Sequence, residues 1–139
     1  MWMELTSGLL LSKLADAEHD ALRTAAVSVT QGDPLDEIAG QVAAEWRGWL
    51  RGAGPVDRRA SFVPDELLVH VLADFRYRAY TRLPGMGGLL DELRVREWER
   101  ANQIREKLSE LAIVPPDDEY LEAGKSATPG IVTPPHILG

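Results

Sequence analysis

A chain of 139 residues has room for one domain with one core, since at this size roughly two thirds of the unfolded surface is buried on folding. Its hydrophobic share of 45% is ordinary for a globular protein, and a formal net charge of −7 works against binding bare nucleic acid. The absence of cysteine excludes disulfides, a thiolate nucleophile and a cysteine-ligated zinc site.

The opening "MWMELTSGLLLSKLADAEHD" holds an apolar patch, but no basic stretch precedes it and an acidic amphipathic one follows, which does not fit a secretory signal. No run of about twenty apolar residues occurs, so no membrane span is expected. Thr6 or Ser7 can cap a short helix carrying Leu9, Leu10 and Leu14, and Asp16 can cap a second with Leu22, Ala25 and Ala26 inward. In "GDPLDEIAGQVAAEWRGWLRGAG" Asp33 is placed to cap a third helix, with Pro34 in the first position and Asp36 and Glu37 at the positive end of the dipole. Leu35, Ile38, Val42, Trp46, Trp49 and Leu50 recur there at helical spacing, and Gly52 and Gly54 are expected to stop it. After the loop "GPVDRRASFVP", Pro64, Asp65 and Glu66 open a fourth helix with Leu67, Leu68, Val71, Leu72 and Phe75 in one stripe, ending near Leu83 before Pro84. A long fifth helix is expected from about Leu89 to Ala112, with Leu90, Leu93, Ala101, Ile104, Leu108 and Leu111 inward.

The expected fold is therefore all-α, a small bundle of four to five helices over residues 1–113, followed by an extended C-terminal arm over 114–139. In "GKSATPGIVTPPHILG", Pro129, Pro134 and Pro135 deny helix while Gly124 and Gly130 supply hinges. Ile131, Val132, Ile137 and Leu138 cannot be buried within so small a domain, which marks them as anchors for docking on a partner.

Little points to catalysis. His19, His70 and His136 are scattered, with no spacing that sets two ligands on one helix face, so neither a metal nor a cofactor is expected. Glu18, His19 and Asp20 are adjacent on a helix and point in different directions. "GMGG" lacks the Gly-Lys-Ser/Thr ending and the preceding strand of a phosphate loop, and reads as a turn. Asp117 and Asp118 fall in the expected arm, without a fixed partner. Arginine is the more informative residue. All basic residues but Lys13, Lys107 and Lys125 are Arg, and Arg47, Arg51, Arg58, Arg59, Arg76, Arg78 and Arg82 cluster between the third helix and the end of the fourth. The planar, forked guanidinium is favoured at interfaces, which nominates Arg47, Arg51, Arg76, Arg78 and Arg82 for contact between subunits. The competing reading is pairing within the chain, with acids such as Glu45, Asp57 and Asp74. The alternation of Arg with Tyr77 and Tyr80 in "FRYRAYTR" would also suit stacking on nucleic acid, the contact stripe of a small helical regulator.

The succession "LTSGLLLSKL", "GDPLDEIAGQVAAEWRGWLRG", "VPDELLVHVLADFRYRAYTR" and "RVREWERANQIREKLSELA" resembles the small head–tail connector proteins of tailed bacteriophages, in particular those of Mu-like prophages. The match runs over most of residues 5–113 and is carried by Val63, Pro64, Leu67, Asp74, Tyr77, Arg78 and Tyr80, which parallel that group's "VP…L…D…YRLY" helix. The resemblance implies a non-enzymatic virion protein, assembled in the host cytoplasm and located at the head–tail interface. It implies a homo-oligomeric ring, dodecameric in that group, bound beneath the portal and facing a tail-side neck or tail terminator protein. Double-stranded DNA would pass through the ring without specific binding, and no membrane is involved.

Overall fold

The computed structural model describes residues 1–27 and 33–122. Five α-helices carry most of the chain: α1 (Ser7–Ser12), α2 (Asp16–Val27), α3 (Pro34–Ala53), α4 (Leu68–Arg82) and α5 (Glu92–Arg105). Short 3-10 turns lie at Asp65–Leu67, Gly87–Leu89, Leu108–Glu110 and Asp118–Tyr120. Local chemistry accounts for the helix starts. Thr6 accepts from the Leu9 amide, Asp33 from the amides of Leu35 and Asp36 ahead of Pro34, and Asp91 from the Arg94 amide. Each cap satisfies donors that the first turn leaves open.

The helices enclose one core. Ile38, Val42, Trp46 and Leu50 of α3 face Val71, Phe75, Ala79 and Tyr80 of α4, with Leu10 and Leu11 of α1 and Leu22 of α2 buried beside them. α5 packs chiefly along α4 and buries Ala101, while Leu108 is buried just beyond its end.

Four expectations need correction. The fold is mostly helical but includes a two-stranded antiparallel ribbon, β1 (Trp2–Glu4) with β2 (Phe62–Pro64), in register Trp2↔Pro64, Met3↔Val63 and Glu4↔Phe62. Pro64 thus ends a strand rather than opening a helix, and α4 begins only after the 3-10 turn at Asp65–Leu67. The helix expected from Leu89 to Ala112 is shorter at both ends, because Asp91 caps it at Glu92 and the chain tightens into a 3-10 turn after Arg105. Leu93 is 59% exposed. It lies about 80° around the helix from Ala101, and the face closer to Ala101 is taken by Arg94 and Glu97, which pair with each other. Finally, residues 114–122 do not leave the domain. The Trp2 indole donates to the Val114 carbonyl at 2.8 Å, the Val114 amide to Glu66 at 2.9 Å, the Arg58 amide to the Tyr120 carbonyl at 2.6 Å and the Glu122 amide to the Val56 carbonyl at 2.9 Å. Asp57 and Leu121 form an antiparallel bridge between those last two bonds. This strap, residues 114–122, belongs to the domain that was expected to stop at 113; the anchors Ile131, Val132, Ile137 and Leu138 lie outside the described residues.

Candidate interaction surface

The arginine cluster is built on two helices and one loop. Arg47 and Arg51 are four apart on α3 and share a face, while Arg78 and Arg82 are four apart on α4; Arg76 lies on another side of α4. Arg58 and Arg59 sit in the loop that joins α3 to β2.

Arg78 is the hub of the network. Its Nε donates to Asp74 Oδ1 at 2.9 Å, and its two terminal nitrogens donate to the two oxygens of Glu45, each at 2.9 Å. Asp74, itself buried, also accepts from the indole Nε1 of Trp46 at 2.9 Å, so one carboxylate ties α4 to the core of α3. The hydrogen bonds that Arg78 donates to Glu45, ahead of that to Asp74, hold its guanidinium charged well above the usual range, and burial opposes the shift. Glu45 is in turn held below the usual carboxylate range by its hydrogen bond from Arg78.

The remaining arginines of the cluster also have partners within the chain. Arg82 donates to Glu37 at 2.8 Å and Arg76 to Glu18 at 3.0 Å, with Glu97 at 3.9 Å from Arg76. Arg59 forms a forked pair with Asp57 at 2.9 and 2.7 Å, and its guanidinium stacks 3.6 Å from the Tyr120 ring centroid. Burial would raise the Asp57 carboxyl, but the hydrogen bonds from Arg59 outweigh it and hold the group low. Arg51 Nε donates to both oxygens of Glu122 at 3.0 Å.

Of the five arginines nominated for contact between subunits, Arg47 must be withdrawn. It is 5% exposed, and its guanidinium donates to the carbonyls of Phe62 and Asp57, each at 2.7 Å. It is a buried brace that closes the α3–β2 loop. Arg51, Arg76, Arg78 and Arg82 each keep some exposed surface, Arg51 and Arg82 the most. The aromatic stripe is spoken for as well. Tyr77 stacks on Trp98 with centroids 3.8 Å apart and planes 6° apart, Tyr80 is buried, and Arg105 covers Trp49 at 4.3 Å.

Sequence reasoning named Glu45, Asp57 and Asp74 as partners for this cluster, and the structure brings all three to it. It missed Glu18, Glu37 and Glu122, because acids on separate elements carry no spacing signal. The i,i+4 pair Asp74 and Arg78 was the one detectable from a helical period. Among the described residues no group of three or more His, Asp or Glu is arranged to hold a metal, and no helix is long and apolar enough to cross a membrane.

No protein-family model, curated protein or solved structure matches the chain.

Proposed function

We propose that the chain is a structural, non-enzymatic subunit of the neck of a tailed bacteriophage. In this reading it forms an oligomeric ring, probed first for twelve copies, between the portal and a tail-side protein and extends the DNA channel. What supports the reading is that every residue carrying the family resemblance has a packing role in one small domain. Val63 and Leu67 are buried, Pro64 ends the ribbon strand, Asp74 joins Trp46 to Arg78, Tyr77 stacks on Trp98 and Tyr80 fills the core. Packing roles of that kind are what a scaffold subunit needs. The net charge of −7 suits a conduit wall that DNA must slide past without adhering.

Within this reading, Arg51, Arg76 and Arg82 stay as lateral contact residues that would exchange their present acids for those of a neighbouring copy in a head-to-tail ring, while Arg78, nominated with them, is set aside because Glu45 and Asp74 both hold it. Ile131, Val132, Ile137 and Leu138 stay as the portal-docking anchors. The alternative of a nucleic-acid-binding regulator loses its contact stripe, since Arg78 is clamped by two carboxylates and Tyr77 is stacked on Trp98. Mass spectrometry of purified virions from an induced lysogen tests the proposal: peptides of this chain should appear at a copy number matching the portal. Absence from virions while the protein is abundant in the lysate would overturn it.

A further inference from the structure

Between α3 and the loop leading to β2 lies an open cleft of about 370 Å3, lined by Gly40, Ala44, Arg47, Arg51, Arg58 and Ser61, with Glu122 at its mouth. Three guanidinium groups line it against one carboxylate, an excess of positive charge on a protein whose net charge is −7. The arginines are close enough to feel one another: burial, and then the neighbouring charge of Arg51, disfavour the charged form of Arg47. Glu122 relieves this in part, with both oxygens at 3.0 Å from Arg51 Nε and one at 4.0 Å from Arg47.

Two further observations mark the cleft as more than a seam. Its helix wall sets the small residues Gly40 and Ala44 beside Arg47 and Arg51, and a Cβ placed on Gly40 would meet no atom of the described residues within 4 Å, so packing among them does not demand the glycine. Glycine there costs about 1 kcal/mol of helix propensity relative to Ala and leaves open space over the arginines. Its loop wall contains Ser61 at φ 67°, the one non-glycine residue with positive φ among the described residues. Such a backbone is strained and recurs where a loop is held to present a ligand site.

We infer that this cleft is a carboxylate-binding site for an acidic segment of a partner protein, occupied within the chain by Glu122 until that segment displaces it. The seated carboxylate identifies the ligand chemistry: Arg51 Nε donates to both of its oxygens, and the planar guanidinium suits a planar carboxylate. The ligand needs at least two acids, since the charge excess remains after one is seated. Displacement is feasible because the Glu122 carboxylate is held by a side-chain pair with Arg51 and can swing away while its amide keeps the bond to the Val56 carbonyl. The inference does not depend on the chain being part of a ring.

Fluorescence anisotropy with a labelled hexaglutamate peptide on the full chain tests it, with a hexaglutamine peptide as control. Because the internal carboxylate competes for the site, Glu122→Gln should bind hexaglutamate about tenfold more tightly than the wild type. In the Glu122→Gln background, Gly40→Phe should abolish the gain by filling the cleft without touching a charge. Ala44→Phe, on the same exposed wall, should do the same should Gly40→Phe alter the helix signal. Equal affinity of wild type and Glu122→Gln, or binding that survives both Phe variants, would overturn the proposal. Displacement of the peptide by millimolar phosphate but not by millimolar succinate would assign the cleft to phosphate and overturn it equally.

Discussion

Asp74 and Tyr80 show how differently two buried polar groups on one helix can behave. Asp74 accepts from Trp46 and Arg78, so Asp74→Ala strands a buried indole N–H and half of a guanidinium fork. We expect a loss of about 3–5 kcal/mol, measurable by urea unfolding, in keeping with the removal of one partner from a buried pair. The Tyr80 hydroxyl is buried with no hydrogen-bond partner among the described residues, so Tyr80→Phe should hold or raise stability by up to about 1 kcal/mol. A comparable loss instead would mean that the hydroxyl is bonded in solution. The carboxylates carry a pH signature. Glu45 titrates below its ordinary value of 4.5 and Asp57 below 3.8 in the folded chain, so each contributes stability that is present above those values and disappears as pH falls through the lowered ones. Unfolding curves of wild type and Glu45→Gln should therefore differ at neutral pH and converge as pH falls below 4.5 and through the lowered Glu45 value. A gap that is constant across that range would show that Glu45 acts by packing alone.

The elements divide by how local their causes are. α1 and α3 start where Thr6 and Asp33 lead one to expect, α2 takes Asp16 as its first residue instead of its cap, and α4 ends at Arg82 with Leu83 extended as Pro84 requires, because caps and proline act within a turn of where they stand. The ribbon was not legible. Trp2–Glu4 and Phe62–Pro64 are three residues each, too short for a visible alternation, and they pair across some sixty positions. The strap was misjudged for a related reason. Val114, Pro115 and Pro116 advertise extended chain, but whether an extended chain leaves the domain or lies along it depends on partners far away in sequence, here the accepting carbonyl of Val56 and the donating indole N–H of Trp2. The candidate site was legible as residue types and not as geometry: the arginines stood out by number, yet their partners Glu18, Glu37 and Glu122 come from three other segments. The strap makes a direct prediction. A chain cut after Glu122 should keep the thermal midpoint of the full chain, whereas one cut after Ile113 should melt roughly 5 °C lower or more, as its main-chain bonds and the Arg51–Glu122 pair are lost. Equal midpoints would make the strap an attachment without energetic weight.

Taken whole, the molecule spends its charged groups on joining helices to one another. Arg78 links α4 to α3 through Glu45, Arg82 links them again through Glu37, and Arg76 reaches α2 and α5 through Glu18 and Glu97. Of these, the exposed pair of Arg82 with Glu37 adds little stability, about 0–1 kcal/mol, and can be re-paired with a neighbour at little net cost. That property is what the proposed ring requires of its lateral faces. Electron microscopy of this chain co-expressed with the portal protein of a Mu-like phage tests the proposed function most directly. The account predicts a ring of density seated on the narrow end of the portal, with the portal's rotational symmetry and one copy of the chain per repeat. Portals that stay bare while the chain elutes as a folded monomer would contradict it.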